Sequence, residues 1–160
     1  VLGSRGLGDV YKRQHLSDDS KAKIRAMLRE ISELESIGDS CYNLARTINR
    51  KFKGKEDFTE SQYEHLTQMF NLINSSLSQM NVMLTSRREE LDANRSFNIE
   101  NEINNYRNQL KSRNISDVND HKYTYAIGTM YMDLINECEK LGDYVVNVVE
   151  ARMGIRWREA

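Results

Sequence analysis

From Ile24 onward, apolar residues recur in steps of three and four: Met27, Leu28, Ile31, Leu34, Gly38, Cys41, Ala45, Ile48 and Phe52. That spacing keeps one face of an α-helix apolar over about eight turns. No other feature constrains the fold so tightly, because the same rhythm returns three times. Ser17 is placed to cap this first helix, with Asp18 and Asp19 in its first turn and Gly54 as its stop. Thr59 and Gln62 form a capping-box pattern that opens a second helix. Its stripe is Leu66, Met69, Phe70, Ile73, Leu77, Met80, Leu84 and Leu91, in which methionines at helical spacing read as core packing. A third, more polar helix runs from about Ala93 to Ser112 on Phe97, Ile99, Ile103, Tyr106 and Leu110. Asn114 to Asp117 reads as a turn, with Ser116 or Asp117 capping the fourth helix. The fourth carries Ile127, Met130, Tyr131, Leu134, Cys138, Leu141, Val145 and Val148 and ends near Gly154. The chain has no proline, and short connections imply antiparallel neighbours. The expected class is an all-α, antiparallel up-and-down bundle of four long helices.

Charge excludes one class of partner. The 23 basic and 24 acidic side chains interleave to a net charge of −1, which leaves no basic footprint for nucleic acid. Arg50, Lys51, Lys53 and Lys55 cluster where the first helix ends, and there they complement the helix dipole. Cys41 and Cys138 both fall in apolar stripes and read as buried free thiols. No apolar run approaches the roughly 20 residues needed to span a bilayer. Residues 1–14, VLGSRGLGDVYKRQ, lack helical periodicity and resemble translated adapter sequence. Their GSRGLGD has neither the preceding strand nor the closing lysine-serine pair of a phosphate loop.

One pattern occurs twice. Glu35 to Asn43 reads ESIGDSCYN, and Glu139 to Asn147 reads EKLGDYVVN, both E-x-x-G-D-x-x-x-N at an offset of 104 residues. The offset also aligns Glu33 with Glu137, Ile31 with Ile135, Leu34 with Cys138, Ile37 with Leu141 and Leu44 with Val148. The first and fourth helices therefore read as the same element of an internal repeat. The second to fourth helices make one complete three-helix unit, and the first closes a preceding unit whose other two helices lie upstream. The chain then divides into a lead segment 1–14, the last helix of a first repeat at 15–55, a complete second repeat at 56–154 and a tail at 155–160.

Within each copy, Glu and Asp at i and i+4 project from one helix face, and the Asn extends that line. Like charges at that spacing cost a few tenths of a kcal/mol, and a mid-helix glycine costs up to about 1 kcal/mol. Two unfavourable choices made twice point to a local requirement. Gly38 and Gly142 would admit a neighbouring helix, and the carboxylates would face a metal ion, a basic partner or buried donors. An oxygen-rich set suits magnesium, manganese or iron better than zinc.

At these residues the sequence resembles the PhoU family, whose fold is two three-helix bundles related by an internal repeat. In that family the last helix of each bundle carries an E/D-x-x-x-D motif. The matching positions are Glu35, Gly38, Asp39 and Asn43, then Glu139, Gly142, Asp143 and Asn147, and the likeness spans about residues 17 to 153. Some members bind multinuclear metal clusters at these carboxylates. The resemblance thus implies Glu35, Asp39, Asn43, Glu139, Asp143 and Asn147 as metal ligands, with Glu102 or its neighbour Glu100 completing the second set. The arginine that usually follows the glutamate is Ser36 in one copy and Lys140 in the other. The wording is most similar to the PhoU-like C-terminal domain of bacterial sodium/phosphate cotransporters. That likeness implies a regulatory domain on the cytoplasmic side of the inner membrane. Its partner would be a membrane transporter domain in the same or a separate chain, and it would also pair as a homodimer. A free-standing PhoU-type phosphate-signalling adaptor is the alternative.

Enzyme sets are missing by spacing. A di-metal bundle enzyme needs Glu-x-x-His pairs, and none of His15, His65 and His121 stands three residues after a glutamate. The cysteines have no histidine near them in sequence, and no serine sits in a nucleophile-elbow pattern. With its own bundle partners upstream, the first helix is expected either to pack on the other three or to present an open apolar face.

Overall fold

The computed structural model describes residues 17–154. The lead segment, His15, the tail and its Trp157 lie outside the described residues. Four helices follow one another: α1 (Asp18–Lys53), α2 (Glu60–Thr85), α3 (Asn94–Asn119) and α4 (Tyr125–Met153), with a 3-10 turn at Arg88–Glu90. The class is all-α, as the periodicity requires.

Local chemistry sets most of the boundaries. The Ser17 hydroxyl accepts from the Ser20 N–H at 3.2 Å and starts α1. Thr59 and Gln62 close a reciprocal capping box on α2, satisfying two N–H groups that a helix start leaves open. Gly154 ends α4 in the left-handed region at φ 71°, where glycine carries no steric penalty.

The third connection falls later than the sequence suggests. Asn114 to Asp117 is helix, not turn, and α3 continues to Asn119. Asn114 is buried and tied to α4: its amide donates to the Gly128 carbonyl at 3.4 Å and accepts from the Tyr123 hydroxyl at 2.7 Å. Asp117 pairs with Arg113 one turn back and with Lys122 ahead. The chain reverses at His121, in the left-handed region at φ 56°. Thr124, rather than Ser116 or Asp117, caps α4 by accepting from the Ile127 N–H. Likewise α2 stops at Thr85, so Leu91 packs against the core from beyond the helix.

Helices α2, α3 and α4 pack mutually, and α1 lies chiefly along α4. Twelve residues of α4 are buried, among them Ile135, Cys138, Val145 and Val148 at 0% exposure, against three in α1. So α4 is the central helix. Its valine-rich end is held helical by packing, which outweighs propensity. Each fully buried Ile or Leu there contributes about 1.5–3 kcal/mol.

Helix α1 docks by a different face from the one its stripe marks. Ile37 and Ser40 are buried, and Leu44 and Ile48 are partly so. Met27, Leu28, Ile31 and Phe52 remain 59–75% exposed. Both expected outcomes for this helix are found in part: it packs along α4, and the rest of its apolar face stays open. Cys41 shares that face and is exposed, contrary to expectation, whereas Cys138 is buried; the difference is that, among the described residues, no further helix packs over that face of α1. The basic end of α1 does more than complement a dipole. Lys51, only 9% exposed in its side chain, bonds the Tyr63 hydroxyl at 2.5 Å, pairs with Asp57 and lies over the Phe58 and Tyr63 rings. The Lys51 ammonium and the Tyr63 hydroxyl hold the Asp57 carboxyl at about 2.

Candidate functional site

The duplicated motif lies along the seam between α1 and α4. The two asparagines do not continue the line of their own acids. Each reaches across to the other helix: Asn43 Nδ2 donates to Glu137 at 3.3 Å, and Asn147 Nδ2 donates to Glu33 at 3.1 Å. Asn43 corresponds to Asn147, and Glu33 to Glu137, at the same 104-residue offset. The two bonds are therefore images of each other across a local two-fold axis level with Gly38 and Gly142. Ion pairs flank them. Arg29 meets Glu150 at 3.1 Å, and Arg50 meets Asp133 at 3.0 Å. Arg29 and Asp133 are equivalent positions with opposite charge, so the two ends of the seam attract with reversed polarity. Glu33 and Glu137 were visible as an aligned pair in the sequence. Their bonding to the asparagines was not, because nothing in one helix says which residue of another it faces.

The Glu and Asp of the motif point elsewhere, and here the copies differ. In α4, Glu139 and Asp143 face α3. Arg107 reaches Glu139 at 3.5 Å, with the two side chains only about a quarter exposed. Burial, then the Glu139 and Glu100 charges, push the Asp143 carboxyl up to about 6. Asn104 donates to Glu100 at 2.5 Å, while its own Oδ1 and the Arg107 Nε are buried without partners. In α1, Glu35 and Asp39 are exposed, and no hydrogen bond or ion pair joins them to a neighbour among the described residues.

The glycines differ in the same way. A methyl group on Gly142 would meet Ile103 at 3.3 Å and Ile73 at 3.9 Å, so α2 and α3 do approach this helix closely there. A methyl group on Gly38 would meet nothing within 4 Å.

Among the described residues no three His, Cys, Asp or Glu side chains converge as a metal-holding group. Asn43 and Asn147 are committed to the seam, and Glu139 to Arg107. Glu100 rather than Glu102 stands near Asp143; Glu102 is exposed. What the second copy does supply is a half-buried carboxylate that takes up a proton near pH 6, beside an arginine. Burial pushes the Cys138 thiol up to about 12, so it stays protonated and inert as a nucleophile.

No family model, no curated protein and no solved structure matches the chain.

Proposed function

We propose that this chain is a helical regulatory module that acts by docking, with the PhoU-like domain of a sodium-dependent phosphate transporter as its type. The observation that carries the reading is the unequal burial of two equivalent faces. On α4 the stripe through Ile135, Cys138 and Gly142 is covered by α2 and α3, whereas on α1 the same positions, Ile31, Leu34 and Gly38, are open. An apolar helix face of that length is a binding surface in a stable protein. The reciprocal Asn–Glu bonds support a repeat in which α1 expects a cover of its own. No helix among the described residues is long and apolar enough to cross a membrane; in this reading the module works by contact with a transporter domain on the cytoplasmic side.

Sodium-driven phosphate uptake by cells producing the intact protein tests this. An Ile31→Asp, Leu34→Asp pair alters only exposed positions and should leave the helical content unchanged while changing uptake. Unchanged uptake with the doubly charged face would overturn the docking reading. If uptake changes but the protein fractionates away from membranes, the free-standing adaptor becomes the better description. Metal analysis of purified wild type and Asp143→Ala decides whether iron, manganese or magnesium belongs to the mechanism. Metal retained by the wild type and lost in the variant would add it.

A further inference from the structure

Where α2 begins and α3 ends, the three-helix unit encloses a cavity of about 200 Å³ that the docking reading does not use. Its buried lining includes Gln62 and Tyr131, each 2% exposed, and Asn114. Nearly every polar atom there has a partner. Tyr131 shares a hydrogen bond with His65 Nδ1 at 3.0 Å, Tyr123 donates to Asn114 at 2.7 Å, and Asn114 donates onward to the Gly128 carbonyl. Gln62 Oε1 accepts from the Thr59 N–H at 3.0 Å. The exception is Gln62 Nε2, a buried amide donor that lies near the Tyr123 hydroxyl without forming a well-aligned bond. A donor left open in a buried wall destabilises the fold unless something in the cavity accepts from it.

The mouth favours a negative occupant. Arg113 and Lys122 converge on Asp117, at 3.7 and 2.6 Å, so the side chains lining the cavity carry one more positive charge than negative. Ser61 lies in the first turn of α2, where outward N–H groups and the helix dipole favour anions. His65 is kept below its ordinary value by burial and then by the Arg113 charge, against the opposing pull of Glu64 and Asp117. A cavity of about 200 Å³ has room for a small anion together with water.

We infer that this cavity binds a small monoanion, a carboxylate or phosphate group that accepts from Gln62 Nε2 at its inner end and meets Arg113 and Lys122 at the mouth. The inference does not depend on the proposed function, and its test shares no variant with that one.

The test is an amide NMR titration of the full chain with sodium phosphate and, separately, sodium benzoate, against sodium chloride at equal ionic strength. Saturable shifts are expected at the Gln62 side-chain amide and at Ser61 and Tyr123. Gln62→Glu keeps the capping acceptor and replaces the donor with a negative oxygen, so binding should weaken at least tenfold without loss of fold. Lys122→Gln should weaken it several-fold. Saturation by phosphate alone assigns a phosphate ligand, and by benzoate alone a carboxylate. Shifts that stay linear for both probes, equal affinity in Gln62→Glu, or a long-lived water on Gln62 Nε2 that neither anion displaces would each overturn the assignment.

Discussion

Helices α1 and α4 carry the same nine-residue pattern, yet the face that α4 buries against α2 and α3 is bare on α1. On α4 the glycine lets Ile103 approach, the glutamate gains an arginine, and the aspartate is lifted toward neutrality. On α1 the glycine looks into open space and both acids face water. Only the asparagines behave alike, because they belong to the seam that the two helices share. A motif of this kind therefore has two parts, one that joins the two helices and one that needs a covering pair of helices before it does anything.

Core truncation should separate the copies most sharply. Ile135→Ala removes a fully buried side chain and should cost about 2–5 kcal/mol. Ile31→Ala, at the equivalent but 60% exposed position, should stay within about 0.5 kcal/mol. Paired urea unfolding curves read the contrast, and equal losses would mean that α1 is covered in solution.

Leucine at the glycines comes next. Gly142→Leu must displace Ile103 and should destabilise by about 1–3 kcal/mol. Gly38→Leu enters open space and should stabilise by up to about 1 kcal/mol through helix propensity. If both variants lose stability, the vacancy over α1 is wrong.

A smaller effect separates the acids. The folded value of Asp143, about 6, exceeds the unfolded 3.8. The folded state then holds a proton that the unfolded state has released, so this group's contribution falls as pH rises from about 4 to 6. At neutral pH a shift of that size converts to about 3 kcal/mol, which partial exposure reduces to about 1. Asp143→Asn should recover about that much at pH 7 and almost nothing at pH 3.5, read from thermal midpoints at both pH values. Asp39→Asn, on the exposed face, should change neither midpoint appreciably. A flat pH profile for the Asp143 difference would mean that its carboxyl is solvated in the folded protein.

The seam should give the smallest differences. Asn43→Ala and Asn147→Ala should each cost about 0.5–1.5 kcal/mol, and by similar amounts, since the two bonds are equivalent. A double-mutant cycle of Asn147 with Glu33 should show coupling of at least about 0.5 kcal/mol, and its absence would mean that the bond does not help to join α1 to α4.

Much of this was legible in the letters. Steps of three and four placed all four helices, Ser17, Thr59 and Gln62 announced two starts, and Gly154 one end. These are short-range effects, set by side chains within a turn of the backbone groups they satisfy. The end of α3 was misplaced because Asn114 and Asp117 look like turn residues until Tyr123, Gly128 and Lys122 are brought to them by the chain reversal. Cys41 was misjudged for a related reason: a stripe shows that a face is apolar, not that anything lies on it.

The sequence by itself determined that the chain is helical, that α1 and α4 carry the same pattern, and which residues make it up, because periodicity and repetition are properties of one strand of letters. Tertiary structure decided which way each copy's acids face, that the asparagines cross to the opposite helix, and that Gln62 ends in a cavity with a donor to spare. Those outcomes depend on which helix lies against which face, and two helices with the same pattern acquire different chemistry when one is surrounded and the other is not.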